Sequence, residues 1–142
     1  MQNPIVKSLL AVILSIAVAV VLFMVVEGIG SILYPFPEDF GGTFEEVARQ
    51  VETTPAWVMA FLAGVGWGGL MLACTFIATR LGHNRHPGHG YGVGLFLLAM
   101  AVYNMAMLPY PIWLWVLNLT VLPAAAYLGT TLAQENQLTP EQ

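Results

Sequence analysis

Residues 9–26 are apolar at every position but Ser15, and a run of that length suits hydrocarbon better than the core of a small soluble domain. Further apolar stretches give candidate spans at 9–34, 56–79, 92–108 and 112–133. Each is near or above the roughly 20 residues that a 30 Å hydrocarbon layer requires, the third being somewhat short. Composition agrees: of 142 residues, 58% are hydrophobic and only 8% charged, far from the balance of a soluble domain. The sequence therefore predicts an all-α, polytopic membrane protein, four transmembrane helices in one bundle, closed by a short polar tail at 134–142. Lys7 followed by an apolar run imitates a secretory signal. That run is longer than a signal core and continues through 28–34 without a small-residue cleavage site, so an uncleaved anchor is expected.

Charge sets the expected orientation. Lys7 precedes the first span and Arg80 and Arg85 separate the second from the third, whereas Arg49 alone lies on the opposite side; both termini should then be cytoplasmic. The other face receives the long loop 35–54, acidic through Glu38, Asp39, Glu45, Glu46 and Glu52. Within it Thr43 and Glu46 form a capping-box pair, and Phe44, Val47, Ala48 and Val51 recur at helical spacing. A short amphipathic helix is expected there, lying on the bundle or on the headgroup layer. Tyr34, Phe36, Trp57, Tyr110, Trp113 and Trp115 gather at the same boundary as interfacial aromatics. Pro109-Tyr110-Pro111 permits only a tight reversal, making the third and fourth spans antiparallel neighbours. The net charge of −4 and the lack of a basic tract speak against nucleic-acid binding. The single cysteine, Cys74, cannot form an internal disulfide and is expected to pack as a small apolar residue.

Glu27 is the most informative position for function. A charged side chain costs roughly 2.5–3.5 kcal/mol at the centre of an isolated membrane helix and less toward the interface, so an intramembrane acid marks a site by default. Counted at about 1.5 Å per residue, Glu27, Asn104 and Asn118 all fall in the outer third of the layer, at roughly 9–11 Å. They define a candidate intramembrane polar cluster, with Tyr103, Ser31 or Thr120 in reach and no Lys or Arg at that depth. Such a cluster either fixes helix register as a hydrogen-bonded network or binds a proton or cation. The second span carries Ala60, Gly64 and Gly68 at every fourth position, with Gly66 and Gly69 beside them, a strip expected to let another helix approach closely, within this chain or in a second copy. Trp67 falls at about 16 Å, near the midplane, as a space-filling knob or as a cavity wall. His83, His86 and His89 recur every third residue in a Gly- and Pro-containing loop. They are weak candidates for a metal, since no Cys, Asp or Glu stands nearby, and a loop touching anionic lipid is the favoured reading. No nucleophile–base pair, phosphate loop or second membrane acid appears, so the chain is not expected to be an enzyme.

The segment Val-Val-Glu27-Gly-Ile-Gly-Ser-Ile-Leu-Tyr34-Pro35-Phe-Pro37, with the glycine-rich second span and the Leu-Pro-Tyr-Pro-Ile-Trp turn, resembles a family of small uncharacterised bacterial four-helix membrane proteins. The likeness covers nearly the whole chain, implies a multi-pass protein of the inner (plasma) membrane, and brings no activity with it. The chain is also faintly similar to the small multidrug-resistance transporters, in helix count and in an acid on the first helix. It departs from them in its long acidic loop, its histidine-containing loop and its one-sided positive charge. Three roles are therefore expected in turn. The first is a non-enzymatic packing or accessory subunit of a membrane assembly, associating with a protein partner or with itself through the second helix. The alternatives are a small proton-coupled transporter using Glu27, and a subunit holding a pigment or quinone.

Overall fold

A computed structural model describes residues 3–135, all helix and connecting turns; of the tail 134–142, residues 136–142 lie outside it. Four helices are long and apolar enough to cross a membrane: α1 (Pro4–Leu33), α3 (Ala56–Leu81), α4 (Pro87–Met107) and α5 (Ile112–Glu135). A shorter α2 (Phe44–Thr53) occupies the loop between the first two.

Local chemistry sets the boundaries. Pro4 opens α1 where a missing amide costs nothing, and the Asn3 side chain accepts from the Ile5 amide. The helix thus begins five residues before the apolar run itself. Likewise α4 begins at Pro87 rather than at 92, because the His86 imidazole accepts from the Gly88 amide and Pro87 takes the first helical position. Capping chemistry overrides the low helix propensity of Gly88, Gly90 and Gly92. At α2 the Glu46 amide donates to Thr43 Oγ1 at 3.3 Å while Glu46 Oε2 accepts from the amides of Thr43 and Gly41 at 2.9 and 3.0 Å. Those donors hold the Glu46 carboxyl below its ordinary range. Gln50 Nε2 donates to the carbonyls of Tyr34 and Pro35, tying α2 to the end of α1.

Helix α3 packs against α1, α4 and α5, most extensively against α5. Contacts between α3 and α5 advance together along both, from Gly68 against Val121 to Leu72 against Gly129, so these two run parallel. Against α1 the order reverses: Val26 lies on Gly66, whereas the buried Ser15 hydroxyl donates to the Cys74 carbonyl at 2.6 Å. The lone hydroxyl of the first apolar run therefore fastens α1 to α3. The main core lies between these helices, around Leu70, Met71, Cys74, Val93, Leu97 and Leu122.

One irregularity shapes everything near Trp67. Residues Leu62–Trp67 form a π turn inside α3, and its extra residue rotates the remainder of the helix by about 100° relative to a continuous α-helix. The strip expected from fourfold spacing is therefore not a single face. Gly66 meets α1 and Gly68 meets α5, while nothing lies within 4 Å of the Cβ position of Gly64 or Gly69, and Ala60 is only half-buried. The tightest approaches occur elsewhere. A Cβ on Gly129 would fall on the Thr75 hydroxyl and the Leu72 carbonyl, and one on Gly90 on the hydroxyls of Thr79 and Thr130. Glycine is required at both because side-chain and backbone oxygens of α3 or α5 occupy the space a Cβ would take.

Candidate functional site

A cavity of about 140 Å³ opens near the α2 end of the long helices. Its polar lining is Glu27 from α1, Asn104 from α4, Asn118 from α5 and Tyr110 from the α4–α5 turn, with Thr54 at the C-terminal end of α2. Helical rise explains the shared depth. Glu27 is six residues from the end of α1 at Leu33, and Asn118 six from the start of α5 at Ile112, about 9 Å in each case. Azimuth comes from packing: Val26 is buried against Gly66 of α3, and the next residue, Glu27, turns toward the opening.

Burial is graded across the site. Glu27 and Asn104 are exposed and form its open side, whereas Asn118 is 8% exposed and closes its inner end, its amide donating to Met105 Sδ at 3.5 Å. The π turn adds Leu62, Ala63 and Trp67 to the wall, the indole held edge-on to Phe23 at 5.4 Å and 69°. An α-helix of ordinary pitch would carry Trp67 to another azimuth, so the irregular turn and the cavity are one feature. From above, Val51 of α2 reaches the lining, and α2 is itself fastened to α1 through Gln50.

Electrostatics set the chemistry. Among the described residues no Lys or Arg lines the cavity, so none of them offers a fixed cation to the Glu27 carboxyl. Burial, and next the charge of Glu27, push the Tyr110 phenol above its ordinary range, which keeps Tyr110 protonated as a hydroxyl. The set is then one carboxyl, two carboxamides, one phenol and the Thr54 hydroxyl, all able to offer oxygen, against a wall that includes Trp67. Such a lining suits a proton or a small cation.

Tyr103 differs from the expectation. It is 63% exposed on the outside of α4, one residue and hence about 100° from Asn104, and takes no part in the lining. Ser31 and Thr120 spend their hydroxyls on the carbonyls of Gly28 and Val116 in their own helices. Tyr110, read from sequence only as an interfacial aromatic, takes the place foreseen for Tyr103. The Pro-Tyr-Pro turn carries it, its amide donating to the Leu108 carbonyl at 2.8 Å in a tight reversal, and the ring joins the lining. The histidines do other work. His86 caps α4, and the His89 Nδ1 lies 2.9 Å from the His86 carbonyl. Among the described residues no group of three or more His, Cys, Asp or Glu is placed to hold a metal.

Comparisons of the chain with protein families, with curated proteins and with solved structures return no match.

Proposed function

We propose that this chain is a small proton-coupled transporter in which the Glu27 carboxyl exchanges a proton for a small cation, a sodium ion or a primary ammonium. The cavity joining Glu27 to Asn104, Asn118 and Tyr110, with no lysine or arginine among the described residues that line it, is the observation that carries this reading. An unanswered carboxylate in a low-dielectric site must be neutralised, and the two ways open to it, protonation and cation binding, exclude one another. Carboxamide and phenol oxygens replace part of the cation's hydration shell, and Trp67 and Tyr110 add aromatic attraction. The full reading is a single four-helix bundle in a bacterial inner membrane with both termini cytoplasmic, facing the acidic loop outward, and α2 as an amphipathic lid on the cavity. It is a binding and exchange protein rather than an enzyme.

Size speaks against the pigment or quinone role, since about 140 Å³ is well below the roughly 300–1,000 Å³ that sites for larger organic ligands occupy. The accessory-subunit role is favoured by a different observation: 22% of the most apolar part of α1 is buried, against 33% for each of the other long helices. That outer face is where a protein partner or a second copy would sit, in place of lipid.

The exchange is tested in detergent solution at very low buffer strength. Sodium or methylammonium chloride is added to the purified chain and proton release followed with a pH dye. Wild type should release up to one proton per chain, saturably, and Glu27→Gln none while keeping its helical circular dichroism. Equal release from both, or none from wild type with either cation over pH 5–9, would overturn the reading. Intact mass and absorbance of the same particle separate the other roles, a fixed partner marking the accessory role and a visible chromophore the pigment role.

A further inference from the structure

Hard metal ions are held by several oxygens converging at about 2.0–2.6 Å, as calcium and magnesium are. The oxygens of the Glu27 cavity do not converge. They come from five separate places, α1, the end of α2, α4, the α4–α5 turn and α5, around a space of about 140 Å³, room for several waters. Among the described residues no two of these five side chains hydrogen-bond each other. The Thr54 hydroxyl donates instead to the Gln50 carbonyl at 2.6 Å, and the Asn118 amide to Met105 Sδ at 3.5 Å.

Much of the remaining wall is carbon. Trp67 is eleven residues from the start of α3 at Ala56, about 16 Å in, against about 9 Å for Glu27 from the end of α1. The indole thus lies deeper than the carboxyl, oriented by its contact with Phe23, and Leu62, Ala63 and Ala101 line the same cavity. Glu27 and Asn104 are exposed, whereas these four side chains are buried or half-buried. A lining with its acid at the mouth and an apolar flank behind suits a small amphiphile better than a bare ion. We infer that the cation is a primary alkylammonium with a short unbranched chain, its ammonium on Glu27 and Asn104 and its carbons along Trp67 and Ala101, an inference that rests on the exchange reading in taking Glu27 as the anchor.

An ammonium donates three hydrogen bonds from one end, and the Glu27 carboxylate and the Asn104 carboxamide oxygen are acceptors on the open side. Each methylene taken out of water should tighten binding by up to about fourfold. The gain stops where the nearly buried Asn118 closes the inner end. A sodium ion gains nothing from the apolar flank and gives up hydration beside it.

Equilibrium dialysis of the purified full chain in detergent against radiolabelled butylammonium, over pH 5–9, tests the inference. Wild type should bind one butylammonium per chain. Unlabelled competitors should displace it in the order butylammonium, propylammonium, ethylammonium, methylammonium, spanning at least tenfold, with sodium weakest, and Glu27→Gln should abolish binding. Leu62→Ser, at a half-buried wall position, should lower the preference for butylammonium over methylammonium at least threefold; should that variant not fold, Trp67→Phe should lower it at least twofold. Displacement by sodium or methylammonium as effective as by butylammonium, binding that Glu27→Gln leaves intact, or an unaltered preference in the wall variant would overturn the assignment. Proton release recorded on the same samples separates it from the exchange reading. Release with a flat competitor series leaves exchange standing and removes the alkylammonium, a graded series without release does the reverse, and neither binding nor release with any cation overturns both.

Discussion

At Gly129 a Cβ would fall onto the Thr75 hydroxyl and the Leu72 carbonyl, whereas at Gly64 it would meet nothing within 4 Å. Gly129→Ala should therefore destabilise the fold by about 1–3 kcal/mol through overpacking against backbone. Gly64→Ala should be neutral or stabilising by up to about 1 kcal/mol, since alanine loses less backbone freedom. Thermal loss of helicity for both variants in one detergent checks the pair, and the reverse ranking would mean that the fourfold glycine spacing, not the Gly129 contact, marks the close approach. Ser15→Ala should cost about 0.6 kcal/mol, a typical interhelical hydrogen bond within a membrane, by the same assay, through loss of the bond to the Cys74 carbonyl. Sequence is legible at this scale where one coordinate suffices. Depth comes from a rise of about 1.5 Å per residue, which put Glu27, Asn104 and Asn118 at one level. Azimuth does not come from it, so Tyr103 and Tyr110 could not be told apart until packing placed one on the outer surface and the other in the cavity lining.

The capping pair Thr43 and Glu46 was readable because both partners lie within four residues, and a local hydrogen-bond pattern needs no tertiary knowledge. The π turn was not, because no residue type announces it: Ala63, Gly64 and Gly66 lie within it, and it sets Gly66 against Val26 of α1 and Gly68 against Val121 of α5, contacts that no local pattern marks. Each element has its own test. For α2, donors from Thr43 and Gly41 hold the Glu46 carboxyl below its usual 4.5, so the cap contributes fully above about that pH and is lost as pH falls through the lowered value. Hydrogen exchange of the loop peptide, corrected for intrinsic rate, should show α2 protection at pH 6 fading toward pH 3. Thr43→Ala should weaken protection at every pH by about 1 kcal/mol, and Glu46→Gln should remove the pH dependence; a profile that Glu46→Gln leaves intact would show that another group titrates. For the π turn, deleting the exposed Val65 removes the extra residue and draws the segment from Leu62 to Trp67 into ordinary α pitch, which re-aims its side chains. The shortened chain should retain its helicity yet lose cation-driven proton release, because Leu62, Ala63 and Trp67 no longer wall the cavity as they do now.

For the molecule as a whole, four apolar helices leave large aliphatic faces exposed on every side, Ile5, Ile13, Met24, Val65, Leu95 and Val116 among them, a surface compatible with lipid contact. The membrane character was legible because length and apolar content are additive along a chain. The central place of α3 was not, since Ser15 on Cys74 and Gly129 on Leu72 join residues 59 and 57 positions apart, and no local pattern marks such pairs. Orientation rests on a global asymmetry: Lys7, Arg80 and Arg85 lie at one end and Arg49 at the other, beside five acids in residues 38–52. That asymmetry predicts the α2 end outside and the His83–Arg85 turn inside. The chain reports on this without background, because its one cysteine, Cys74, is fully buried and should not react with a membrane-impermeant maleimide. Introduced singly, Glu38→Cys should be labelled in intact cells and Asn84→Cys only after lysis, both positions being exposed. Labelling of Asn84→Cys in intact cells would invert the topology, and labelling of both would show that the chain inserts in two orientations. In the predicted orientation Glu27 lies in the outer half of the layer beneath an acidic loop, so a cation arriving from outside meets attractive charge before reaching the carboxyl.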